Sequence, residues 1–121
     1  MVRQLAVALL AAIAAAGAAG PTTAAPRVVY VLHGSVVPGH ITLKNGVGQP
    51  YLHGSAGLYR ISITDKSPND DFRLVGPGVN LVITTVPFVG AHSVQVTLGH
   101  GTYHYLSDPH HTSMRGSFVL S

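Results

Sequence analysis

Gly101-Thr102-Tyr103-His104-Tyr105-Leu106-Ser107-Asp108-Pro109-His110-His111-Thr112-Ser113-Met114-Arg115-Gly116-Ser117-Phe118 reads as a strand, a tight polar loop and a second strand. Side chains alternate along extended chain, so Tyr103 and Tyr105 share one face and His104 takes the other. His104 therefore points to solvent, and His100, in the turn Gly99-His100-Gly101, is exposed as well. The loop between the strands gathers Ser107, His110, His111 and Met114, side chains that hold metals or make hydrogen bonds.

The same rhythm extends upstream. Residues 28–32 are mostly β-branched, and Gly34-Ser35 and Pro38-Gly39 read as breaks on either side of Val36-Val37. Residues 40–43 form a short strand ended by the turn Lys44-Asn45-Gly46. Residues 58–65 alternate, with Tyr59, Ile61 and Ile63 on a buried face and Arg60, Ser62 and Thr64 on the other. A polar segment follows to Asp71, residues 72–75 resume strand character, and Gly76-Pro77-Gly78 forces a bend. Residues 81–85 are strand or loop, and residues 92–98 set Val94, Val96 and Leu98 opposite Ser93, Gln95 and Thr97. No stretch keeps a helical period. Seven or eight strands, roughly 8–12 residues apart, predict an all-β, antiparallel sandwich or barrel, and the Greek-key β-sandwich is the expectation carried forward.

Composition narrows the function. Residues 1–20 have the form of a signal peptide: Arg3, an apolar run over 5–19, then the small residues Ala16-Gly17-Ala18-Ala19-Gly20. A membrane anchor is the competing reading, but the run is shorter than the ~20 residues a spanning helix needs, and Gly20-Pro21 ends it. Residues 21–27 form a tether and 28–121 a single domain. The expected product is secreted, periplasmic or otherwise extracytoplasmic, with no membrane association after cleavage. The chain has no cysteine, so packing alone must hold it. Beyond Arg3 its positive charges, Arg27, Lys44, Arg60, Lys66, Arg73 and Arg115, are dispersed, which argues against nucleic acid. Phe72, Tyr103, Tyr105 and Phe118 read as core. Ser107, Asp108 and His110 are the residue types of a hydrolase triad, yet they lie too close along one loop to form a relay. No phosphate loop is present, and no catalytic constellation, so an enzyme is not predicted.

The segment 101–118 strongly resembles the C-terminal copper loop of the cupredoxins, the plastocyanin-like blue-copper family. In that family the strand ends in Cys, His follows three residues later and Met lies a few residues beyond. Ser107, His110 and Met114 stand in those positions. Upstream, Asp65-Lys66-Ser67 through Phe72-Arg73-Leu74-Val75-Gly76-Pro77-Gly78-Val79-Asn80 resembles the segment of the secreted bacterial members in which a His ligand precedes Asn-Phe. Asp70-Asp71-Phe72 occupies that place, so Asp70 stands at the first His. The resemblance runs from about Pro38 to the end.

What the resemblance implies is a copper site without its key ligand. A blue-copper centre needs two imidazoles, a thiolate and a weak axial Met. A serine hydroxyl is hard and protonated, and an aspartate favours Cu(II) or Zn(II) over Cu(I). The implied product is an exported cupredoxin-like binding or structural domain with a degenerate type 1 copper site. It does not transfer electrons, and its partner would be an unidentified extracellular protein. The alternative is a metal-handling protein that takes Cu(II) or Zn(II) on His110 and Asp70, with His111 as a further imidazole. A copper-binding electron carrier is the reading only if Ser107 replaces a natural cysteine. Against these stand plainer roles: Met114 as a core filler, Asp70 as a turn terminator, His110 as a loop residue bonded to backbone. Copper is thus a candidate cofactor, and none is assured.

Overall fold

A computed structural model describes residues 27–121; the expected leader, and the tether up to residue 26, lie outside the described residues. Nine strands follow in order: β1 (Val29–Val37), β2 (His40–Lys44), β3 (His53–Gly54), β4 (Gly57–Asp65), β5 (Phe72–Gly76), β6 (Val79–Thr84), β7 (Gly90–Leu98), β8 (Gly101–Leu106) and β9 (Arg115–Leu120). A single 3-10 turn, Asp108–His110, interrupts them. The first sheet has the order β2-β1-β4-β7 and the second β3-β9-β8-β5-β6. This is the expected all-β sandwich.

Three details differ from the sequence reading. The sheets are mixed rather than antiparallel: β4 lies parallel to β1 and β3 parallel to β9. After the β1–β2 hairpin the chain crosses to the second sheet for β3, then returns to the far side of β1, and that crossover makes β4 run with β1. Gly34 does not break β1; it pairs with Leu43 and Ile63 in mid-strand. A side chain there would fall on the tip of Ile63, so the glycine makes room for a core residue. Finally, the count exceeds seven or eight because β3 has only two residues, too few to show any period.

Alternation places the core. Leu32 and Val36 from β1, Tyr59, Ile61 and Ile63 from β4, Phe72 and Leu74 from β5, and Tyr103 and Phe118 from β8 and β9 are buried between the sheets. Phe72 stacks on Tyr105 with centroids 5.5 Å apart, and Tyr103 stacks on Phe118 at 5.3 Å. Each such side chain contributes about 1.5–3 kcal/mol through burial. The packing fixes the end where β4 finishes, β5 starts, β8 finishes and β9 starts. The loops 66–71 and 107–114 meet there.

Candidate functional site

Each loop is built from its own short hydrogen bonds. In loop 66–71 the Lys66 amide donates to the Val36 carbonyl at 2.7 Å, which ties the loop to β1. The Ser67 amide donates to Asp65 Oδ1 at 2.9 Å, an Asx turn, and the Asp70 amide to the Ser67 carbonyl at 3.2 Å. In loop 107–114 the Ser107 amide donates to the Met114 carbonyl at 3.1 Å, and the Met114 amide to the His110 carbonyl at 2.8 Å. Pro109 suits the start of the turn, where an amide would have no partner.

The two loops join at one carboxylate. Asp70 is 1% exposed and accepts three hydrogen bonds. Oδ2 takes the Ser67 hydroxyl at 2.6 Å, and Oδ1 takes both the Ser107 hydroxyl at 2.8 Å and His110 Nδ1 at 2.6 Å. Burial pushes the Asp70 carboxyl up, but the bonds from Ser67, His110 and Ser107 outweigh it and hold the group below its ordinary value. Ser107 is fully buried, donates to Asp70, and accepts the Asp71 amide at 3.4 Å. With Nδ1 donating to a carboxylate, His110 keeps Nε2 as its free ring nitrogen, on a side chain 52% exposed.

A second carboxylate contact lies beside the first. Asp71 Oδ1 accepts the Asp108 amide at 2.6 Å. Arg73 Nε donates to both oxygens of Asp108, at 2.9 and 3.0 Å, while its Nη1 donates to Asn80 Oδ1 at 2.6 Å. Burial first, then the side-chain hydrogen bond to Asp108, raises the Asp71 carboxyl to about 6. The bond from Asp71, and then Arg73, holds Asp108 below its ordinary value.

Asp70, Ser107 and His110 are therefore brought together, as bonded neighbours. Met114 joins the apolar core, and His111 is exposed and makes no hydrogen bond to Asp70. Among the described residues no group of three or more His, Cys, Asp or Glu side chains is arranged to hold a metal. As arranged, these side chains leave no room for a metal ion between them. Ligands at about 2.0–2.1 Å from a tetrahedral ion stand about 3.3 Å apart. Asp70 Oδ1 lies 2.6 Å from His110 Nδ1 and 2.8 Å from Ser107 Oγ, so the donors satisfy one another and leave no gap for an ion. Here His110 and Asp70, the pair expected to take Cu(II) or Zn(II), meet each other in a hydrogen bond.

The sequence reading gave no role to Ser67, Asp65, Asp71 or Arg73. The signal for the first two was the spacing Asp65-Lys66-Ser67, which suits an Asx turn. Among the other histidines, His33, His40, His53, His100 and His104 are exposed. His92 lines an open pocket of about 210 Å³ with Ile83, Thr84, Thr85 and Phe88.

No family model and no curated protein matches the sequence. Among solved structures the chain is similar to one from a heme-copper terminal oxidase dimer, with a TM-score of 0.57 at 17% identity. That alignment covers 77% of this chain and 64% of the oxidase chain, under two thirds of its length. It is also similar to reduced rusticyanin, with a TM-score of 0.52 at 18% identity over 77% of each chain. A second structure of the copper protein rusticyanin gives 0.52 at 20% identity, over 78% of this chain and 77% of that one. At such identities the likeness establishes the fold alone, a cupredoxin-like β-sandwich.

Proposed function

We propose that this chain is an exported cupredoxin-like domain in which a hydrogen-bonded carboxylate has replaced the copper ion, and that it serves as a binding or structural module. One observation carries the reading: Asp70 Oδ1 touches both Ser107 Oγ and His110 Nδ1, on residues that the sequence resemblance sets at the thiolate and imidazole positions of a copper site. A carboxylate that accepts three donors is an anion stabilised in place, doing for the two loops what a bound cation and its ligands would otherwise do. Without a soft thiolate the set lacks the donor that holds Cu(I) in a blue-copper centre. Ser107 gives its proton to Asp70 and not to an imidazole, so it is no activated nucleophile. The signal-like segment 1–20 supports export.

Adding Cu(II) to the purified chain tests this. No intense visible absorption is expected, and calorimetry should show no tight, stoichiometric site that depends on His110. Such a site would favour the metal-handling reading and overturn this one. Ser107→Cys combined with Asp70→His should bring back a blue band, because the two replacements restore the thiolate and the first imidazole on an intact scaffold.

A further inference from the structure

β6 edges the second sheet and β7 the first, and the pocket of about 210 Å³ lies between them. Each of its walls has a local cause. The β5–β6 register shifts between Phe72 and Arg73, which leaves Ile83 without a partner between Val82 and Thr84, and both Ile83 and Thr84 are buried. The Phe88 amide donates to the Thr85 carbonyl at 2.8 Å, which closes the turn after β6. The Phe88 ring lies over Gly90, where a Cβ would stand 3.0 Å from Cζ. On β7, His92 has the parity of Val94, Val96 and Leu98, the core-facing residues, and pairs with the buried Ile63. An imidazole therefore stands on the inner face of this strand, where the rest of the row is apolar. Thr84 is 1% exposed, and its Oγ1 has no hydrogen-bond partner among the described residues. A buried hydroxyl left without a partner is costly.

We propose that this pocket binds a small neutral phenol, whose hydroxyl accepts from Thr84 and donates to His92 while its ring lies against Phe88 and Ile83. Size selects a single ring. Benzene fills a cavity of about 150 Å³, and drug-sized ligands take about 300–1,000 Å³. A pocket of about 210 Å³ lies between the two, which suits one ring with one small substituent. The Phe88 ring is 37% exposed, so it offers a free aromatic face or edge to that ring. Charge selects a neutral ligand. No Lys, Arg, Asp or Glu lines the pocket, and the buried Asp65, whose Oδ2 also lacks a partner, is not part of its wall. A carboxylate or an ammonium would enter without a fixed counter-charge. Hydrogen bonding selects a group that both gives and takes. The Thr84 hydroxyl has a proton to donate, and a neutral imidazole keeps one acceptor nitrogen. Thr84 Oγ1 is shielded from solvent, and a turn about χ1, which exchanges hydroxyl and methyl, brings it to the ligand. None of these residues belongs to the Asp70 cluster, so the proposal stands apart from the reading of that site.

Titration of the purified chain with phenol, followed residue by residue in amide NMR spectra, tests this. Saturable shifts centred on Thr84, Thr85, Phe88 and His92 are expected, with a dissociation constant of about 1 mM or tighter. No saturable shift up to about 10 mM phenol, or saturation only in loop 107–114, would overturn the proposal. Benzoate brings a charge without a partner, anisole lacks the proton for His92, and cyclohexanol lacks the flat ring. Each should bind about tenfold more weakly or worse, and equal affinity for any of them contradicts the assignment. Thr84→Val keeps the shape of the side chain and removes the unpartnered hydroxyl, so it should fold at least as well as the parent while binding phenol about tenfold more weakly. Unchanged affinity in that variant would count against the proposal. His92 is exposed, so His92→Leu leaves the core intact. In it phenol and anisole should bind alike, and a retained preference for phenol would mean that its hydroxyl does not meet His92.

Discussion

Asp70 is an anion kept out of water, which is tolerable only when its lone pairs are occupied. Ser67, Ser107 and His110 occupy them, and each donor comes from a loop whose backbone is already tied down. Ser107 serves twice, giving a proton to Asp70 and receiving the Asp71 amide. Ser107→Ala removes both bonds without adding bulk, and the loss of stability should be about 1–2 kcal/mol. Its pH signature is specific. The folded-state value of Asp70 lies below the ordinary one, so its contribution is complete above about pH 4–5 and fades as pH falls through the folded value. Taking away one donor lets that folded value rise. The acid-unfolding midpoint of Ser107→Ala, followed by circular dichroism, should therefore move to higher pH. An unchanged midpoint would mean that the Ser107 bond contributes nothing.

At the scale of elements, two glycines in the second sheet are places where an aromatic ring lies against the neighbouring strand. A side chain on Gly76 would fall inside the Tyr103 ring, and one on Gly116 inside the Tyr105 ring. Gly76→Ala should destabilise by about 1–3 kcal/mol through overpacking. Gly46→Ala, where a methyl group meets nothing within 4 Å, should stay within about 0.5 kcal/mol of the parent in the same thermal melt. Equal effects would show that the ring contact does not matter. This packing also explains what the sequence could and could not show. β4, β7 and β8 were legible because each has one wet face and one dry face, which imprints a period of two. Gly34 was misread because nothing in the letters around it reveals that Ile63 fills its space. The parallel β1–β4 pair depends on a crossover through the other sheet, a relation between distant segments that local pattern does not encode. The loop motifs brought Asp70, Ser107, His110 and Met114 to notice by their spacing. They did not reveal that Asp70 Oδ1 takes two donors at once, since that is a distance across 37 and 40 residues of chain. Ser67 went unassigned for the same reason: its hydroxyl counts only once Asp70 is known to be buried.

Across the whole molecule the acidic side chains are gathered at one end. The chain has four acidic residues, and Asp65, Asp70, Asp71 and Asp108 all lie where β4 ends, β5 begins and β8 ends. Lys44, Arg60 and Arg115 lie on strands and are exposed. Crowded carboxylates make this end the pH-sensitive part of the protein, and its members pull in opposite directions. Asp70 stabilises the fold above the ordinary carboxylate range. Asp71 is raised to about 6, so its contribution is complete below its ordinary value and is lost as pH rises through about 6. Above that pH Asp71 is a buried anion that can no longer donate a proton to Asp108. Asn is a permanent neutral substitute: its Oδ1 can still accept the Asp108 amide, and its Nδ2 can donate to the Asp108 carboxylate at any pH. Asp71→Asn should thus match the parent near pH 4 and exceed it at pH 7 by on the order of 1–2 kcal/mol. The difference in melting temperature between variant and parent, taken at each pH, cancels the contribution of Asp70 and isolates that of Asp71. That difference should grow between about pH 4 and pH 7 and then level off. A variant less stable than the parent at pH 7 would mean that the ionised Asp71 is held by the Arg73–Asp108 pair more strongly than its burial opposes it.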